Sequence, residues 1–146
     1  MTASSVLRMG LVTSLLFSGA PVLAQDAVRV PVDAQGVTLE VTELKVTDDG
    51  YLTLRASVRN ESGASTSLYK LTNSYIVGAS LLDMTNKRKH LVVQDSGGNC
   101  LCSGNIDINN GETRQIWAKF AAPPENVAKM SVSFGSVEPV SVPVSR

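Results

Sequence analysis

Cys100 and Cys102 are the two cysteines of this chain, one residue apart in the stretch DSGGNCLCSGN, Asp95 to Asn105. Two thiols at that spacing can make a redox pair, a soft-metal clip or a small disulfide ring. In a fully extended segment, residues i and i+2 share a face, with Cα atoms about 6.6–7.2 Å apart. A disulfide favours Cα separations of about 5.5–6 Å, so a bridge requires a bend at Leu101. Gly97, Gly98 and Gly104 make that bend easy. An oxidising compartment favours the bridge. A ring this small is strained and therefore labile, and closing so short a loop adds little to stability. Three states stay open: a bridge that stiffens a surface loop, a thiol-redox or metal role, and free or intermolecularly paired thiols. For the metal role, His90 or Met84 could join Cys100 and Cys102 around Cu(I) or zinc, whereas a closed zinc site takes four ligands. No other cofactor is implied.

Other catalytic vocabulary is sparse. His90 is the single histidine, and a hydrolytic triad or zinc-hydrolase site is built around histidine with placed partners. There is no G-x-S-x-G, no H-E-x-x-H and no phosphate-cradling glycine loop. Asp48, Asp49, Asp83 and Asp95 sit in turn-forming stretches, where backbone hydrogen bonding accounts for them. A conventional enzyme is therefore not expected. Two surface candidates remain. Lys87, Arg88 and Lys89, in NKRK, form either a solvated hairpin tip or a contact for lipid headgroups or cell-wall phosphates. Trp117 is either an exposed binding aromatic or, as a lone sandwich tryptophan more often is, part of the core. Asn60-Glu61-Ser62 also fits a glycosylation acceptor.

The first 24 residues have the form of a signal peptide. A short n-region carries Arg8, an apolar run spans Met9 to Phe17, and the segment ends Val22-Leu23-Ala24. The run is shorter than the roughly 20 residues that span a bilayer, and no second long apolar segment follows. A periplasmic or secreted location is the expectation. The full chain has 13 Lys+Arg against 13 Asp+Glu, and Arg8 is the only charge in the leader. The remainder thus carries a net charge of about −1, which offers nucleic acid no general attraction.

What must hold these residues in place is a β-scaffold. Residues 25–36 look like a tether, or a short edge strand through Val28, Val30 and Val32. In VTLEVTELKV, Val37, Leu39 and Val41 alternate with polar residues, and Leu44 and Val46 continue in the opposite phase. That switch predicts a bulge near Glu43. After the turn Asp48-Asp49-Gly50, YLTLRASVRN (Tyr51–Asn60) is the clearest strand, with Leu52, Leu54, Ala56 and Val58 on one face. SYIVGASLLD and HLVVQD pair as a hairpin with the basic tip between them. Beyond Asn109-Asn110-Gly111, TRQIWAKF puts Ile116, Ala118 and Phe120 opposite Trp117. Met130, Val132 and Phe134 alternate next, and Pro139 and Pro143 push the last run to an edge. About seven to nine short strands without a helical period predict an antiparallel two-sheet sandwich over residues 37–146, with a small barrel as the alternative.

VRNESG, the LLD strand with its lysine-rich turn, WAKFAAPPENV and SVSFG together resemble bacterial exported immunoglobulin-like domains of unknown function. In some envelope proteins a similar domain with a CLCS loop precedes an OmpA-like domain. The resemblance implies an immunoglobulin-like fold in the envelope, without the inter-sheet cysteine pair of antibody domains. The function expected is a non-catalytic binding module whose partner is an envelope protein or cell-surface component. The alternative is a thiol-redox or soft-metal protein acting through Cys100-Leu101-Cys102.

Overall fold

The computed structural model describes residues 25–146 and Gly19; the expected signal peptide, residues 1–24, otherwise lies outside the described residues. Ten strands follow in order: β1 (Val28–Val30), β2 (Val37–Val46), β3 (Tyr51–Asn60), β4 (Thr66–Ser67), β5 (Ser80–Asp83), β6 (Arg88–Leu91), β7 (Asp107–Ile108), β8 (Thr113–Ala121), β9 (Lys129–Ser133) and β10 (Val140–Pro143). One sheet has the order β1-β2-β3-β8 and the second β10-β9-β5-β6, while β4 and β7 form a two-stranded ribbon. All of these ladders are antiparallel. This is an all-β sandwich. The run β2-β3-β8 corresponds to immunoglobulin strands A-B-E and β10-β9-β5 to G-F-C, with β6 added beside C. The sheets do not close into a barrel. Ten strands are one more than the upper expected count, and the two-residue β4 and β7 are too short for alternation to register.

The alternating residues bury as their period dictates. Leu39, Leu52, Leu54, Ala56, Val58, Ala118 and Phe120 from the first sheet meet Leu81, Met130, Val132 and Val142 from the second. The phase switch in β2 is a bulge: pairing with β3 slips between Val41 and Glu43, leaving Thr42 unopposed. Its two halves also have different outer neighbours. Val28–Val30 covers Leu39–Val41 antiparallel, so part of the segment expected as a tether is an edge strand. Beyond the bulge, Ser145 forms a parallel bridge to Lys45 and exchanges backbone hydrogen bonds with Leu44 and Val46. Because Ser145 follows β10, the chain end laces one side of the sandwich. The other side is laced where β6 runs on into Val92, which bridges Phe120 of β8.

The stretch from Ser74 to Asp83 is a strand only from Ser80. Before it come helix α1 (Leu68–Thr72) and a 3-10 turn (Ile76–Gly78). Ser67 caps α1 by accepting from the Lys70 N–H at 3.3 Å, and Asn73, at φ 55°, ends it. Five residues are too few for a helical period to show, which is why the pattern reads as irregular. Leu68, Ile76 and Ala79 are buried, so this segment serves as a lid on the core's end.

Candidate functional site

Trp117 lies on the outer face of the first sheet and is neither core nor fully exposed. The strand it belongs to is regular, so Ile116, Ala118 and Phe120 take the inside and Trp117 is left outside with Lys119. Directly across the ladder stands Arg55 of β3, and Thr53 faces Lys119. These residues line a groove of about 290 Å³ together with Thr47 and Asp49 from the β2–β3 turn.

Two ion pairs flank the indole. Arg55 Nε meets Glu43 Oε2 at 3.2 Å, with Glu43 supplied by the half of β2 beyond the bulge. Lys119 Nζ binds the Asp49 carboxylate and lies 5.5 Å from the centre of the Tyr51 ring. Asp49 also accepts from the Thr47 hydroxyl at 2.6 Å and the Tyr51 N–H at 3.2 Å. The Lys119 ammonium first, and the Thr47 hydroxyl second, hold its carboxyl down at about 2.

That depression has a pH signature. A carboxylate whose folded value lies below its unfolded one stabilises the fold fully above about pH 4, and the contribution is lost as pH falls through the folded value. The stability gap between the protein and Asp49→Asn should therefore be constant above about pH 4 and close as pH approaches 2. Urea titrations across that range check it; a gap that stays open at the acid end would mean that Asp49 does not carry this interaction.

The cysteine loop supports the same groove from the side. Cys100 and Cys102 are joined by a disulfide with Cα atoms 5.3 Å apart, and the chain bends at Leu101. The loop doubles back on itself through the Gln94–Cys100 bridge, and Asp95 closes its tip by accepting from Gly97 N–H (2.8 Å) and Asn99 N–H (2.9 Å). These bonds, the Asn99 N–H first, pull the Asp95 carboxyl below the usual range. The emerging strand then pairs with β8: Cys102 bridges Ala118, and Lys119 N–H donates to the Leu101 carbonyl at 2.9 Å. Ser103 binds Trp117 three times. Its N–H donates to the Trp117 carbonyl at 2.9 Å, its Oγ donates to that carbonyl at 3.2 Å, and Oγ lies 3.0 Å from the Trp117 N–H. The CLCS segment thus occupies the edge position next to β8 and fixes the backbone that carries the tryptophan.

Comparison with protein-family models, curated proteins and solved structures finds no match to this chain.

The other sequence candidates are placed apart. His90 is opposite Leu81 in the β5–β6 hairpin, with Nδ1 3.1 Å from the Ala121 carbonyl and Nε2 buried without a hydrogen-bond partner. Ala121 is three residues along β8 from Ala118, the partner of Cys102, a run of about 10 Å at strand rise. Among the described residues, no group of three His, Cys, Asp or Glu side chains gathers at metal-binding spacing. Met84 and Lys87 are exposed at the hairpin tip, while Arg88 and Lys89 are exposed at the start of β6 rather than in the tip expected for NKRK. Asp83, buried at its base, accepts from Thr85 N–H and Asn86 N–H at 3.0 Å each and from the Asn86 side-chain amide at 2.7 Å. Lys87, at φ 57°, completes that turn. Among the described residues no helix is long and apolar enough to cross a membrane.

What sequence reasoning missed is the company Trp117 keeps. Arg55 and Lys119 belong to alternating strands, and their outward phase was legible. Asp49 read only as a turn residue and Thr47 carried no reading, because nothing local says that their turn folds over β8.

The ring itself should matter little to global stability. Its loop is minimal, and the segment is also held by its backbone bonds to Val93, Trp117 and Lys119. Replacing both Cys100 and Cys102 by Ser should cost about 1–2 kcal/mol in urea denaturation. Failure of that variant to fold would show that the bridge, rather than the ladder, holds the edge.

Proposed function

We propose that this chain is a non-catalytic binding module of the bacterial envelope, exported to the periplasm or beyond, which engages an envelope component through the outer face of β3 and β8. The observation that carries this reading is the groove at Trp117. A part-buried indole lies between two ion pairs, on strands paired along their length, with Ser103 fixing its backbone. Preorganised aromatic surface with a few placed polar groups is the usual composition of a ligand site. The signal-like leader and the likeness to exported immunoglobulin-like domains support the location.

Co-sedimentation with isolated envelope fractions (peptidoglycan sacculi, outer-membrane vesicles, lipopolysaccharide) tests the reading. The protein should sediment with at least one fraction, and Trp117→Ala should lower its apparent affinity about tenfold while leaving the melting temperature within a few degrees. Neutralising Lys87, Arg88 and Lys89 together should leave binding unchanged. Association that survives Trp117→Ala would overturn this choice of face.

One observation favours the alternative, thiol-redox chemistry at Cys100-Leu101-Cys102. Both cysteines line a second surface groove of about 230 Å³ with Tyr75, Val77 and Ser103. A bridge that resists reduction by thioredoxin-like proteins would eliminate it; a bridge poised near the potential of its compartment would promote it.

A further inference from the structure

We infer that the Trp117 groove takes a neutral carbohydrate, with one pyranose ring stacked on the indole and its hydroxyls bound by Arg55, Asp49 and Lys119. This rests on the binding role proposed above and narrows it to a ligand class. Three features of the groove lead there.

The first is charge. Arg55 is matched by Glu43 just outside the groove and Lys119 by Asp49 within it, so each cation of the lining has a partner anion and the set balances. With its carboxyl held down at about 2, Asp49 is ionised near neutral pH, and the balance does not change there. A balanced groove has no long-range pull on phosphates, uronates or polyamines. It does offer closely spaced donors and acceptors: a guanidinium edge, an ammonium, a carboxylate and the Thr47 hydroxyl. A sugar's vicinal hydroxyls, each both donor and acceptor, match such an alternating set.

The second feature is the paired backbone beneath the groove. Strand β3 is paired to β2 on one side and to β8 on the other, and β8 is covered by Leu101–Ser103. A peptide that binds by strand addition needs a free ladder edge, and this floor has none. Recognition must come from side chains alone.

The third is shape. A single indole on the outer sheet face, part-buried and grouped with polar residues, brings one aromatic plane to the groove's lining. Such a plane suits a ligand that is apolar on a flat face and polar around its rim. The axial C–H face of a pyranose fits, because its weakly positive hydrogens meet the negative face of the ring. A lipid chain would leave Arg55, Asp49 and Lys119 desolvated without partners, at a cost.

The sequence contains one tryptophan, so intrinsic tryptophan fluorescence of the purified protein reports on this site alone. The experiment titrates malto-, cello-, chito- and manno-oligosaccharides, with heparin, oligogalacturonate and proline-rich peptides as the charged and peptidic comparisons. At least one neutral series should give a saturable change in emission that moves less than twofold between low and high salt. Calorimetry with the same sugar should show about tenfold weaker binding for Trp117→Ala, partial rescue by Trp117→Phe and a severalfold loss for Arg55→Gln. Absence of saturable binding by every neutral series would overturn the carbohydrate inference, and so would binding confined to heparin or to the peptides. If envelope association still depends on Trp117 in that case, the binding face stands and only its ligand class falls. If association is indifferent to Trp117 as well, both fall together.

Discussion

Gly135→Ala should be among the most damaging single-methyl additions this fold can receive. Gly135 follows β9 at φ 53°, a conformation that costs a side-chain-bearing residue about 1–2 kcal/mol. The larger problem is space. A Cβ there would overlap the Thr72 carbonyl oxygen and lie 2.7 Å from Ser74 Cβ. The carbonyl cannot step aside, because it accepts from Ser136 N–H at 2.8 Å and Ser136 Oγ at 3.1 Å at the end of α1. Strain and overpacking together should lower stability by about 3–4 kcal/mol, a large share of the roughly 5–15 kcal/mol that a domain possesses. Gly98 supplies the control: its φ is 82°, yet nothing lies within 4 Å of its added Cβ. Gly98→Ala should cost only about 1 kcal/mol. Urea midpoints at unchanged slope measure both. Equal losses would mean that backbone conformation, not the approach of α1 to the β9 end, is what Gly135 provides.

The second large effect is expected at Asn60, the last residue of β3. Its side chain is fully buried and fully used. Nδ2 donates to the Ala64 carbonyl at 2.8 Å and the Ile108 carbonyl at 2.9 Å, while Oδ1 accepts from the Ser62 N–H at 3.0 Å and the Ser62 hydroxyl at 2.7 Å. The amide therefore ties the loop after β3 to β7 across 48 positions of sequence. Asn60→Ala would leave these groups without that partner, the Ile108 carbonyl in a buried setting, for a loss of about 2–3 kcal/mol. Asn60→Asp should do no better, since a carboxylate keeps the acceptor and loses both donors. Denaturation measures the loss, and faster amide exchange at Ser62 would localise it. If Asn60→Ala costs less than about 1 kcal/mol, water must replace the network. The same burial makes Asn60 a poor glycan acceptor in the folded protein, whatever the Asn-x-Ser spacing suggests.

These two residues also mark where sequence reading stops. The long strands were legible because each makes its own statement. Tyr51–Asn60 alternates without a break, and the reversal of phase in VTLEVTELKV located the bulge near Glu43, one residue from the unopposed Thr42, without any knowledge of its neighbours. Gly135 and Asn60 make no such statement. One is a glycine after a strand and the other an asparagine before a loop; their importance comes from α1 and β7, which arrive from elsewhere in the chain. The candidate site divides the same way. Bond geometry required a bend at Leu101 only if the cysteines were bridged, and alternation set Trp117 opposite Ile116 and Phe120 without choosing between core and surface. That Ser103 would hold the Trp117 backbone, or that Asp49 would reach Lys119 across 70 positions, is a property of the assembled sheets.

Lacing on both sides of the sandwich has a consequence for how copies of this protein treat one another. Edge strands with free ladders are templates for unwanted pairing. Here the outer side of β8 is occupied by Val92 and by the disulfide-bent segment, and that of β2 by β1 and Ser145. Among the described residues, the sandwich edges left without a strand partner are β1, three residues long, β10, which carries Pro143, and β6, which carries Arg88 and Lys89. Arginine and lysine on that edge disfavour pairing with a second chain. The basic hairpin therefore acts as a guard against self-recruitment along that edge.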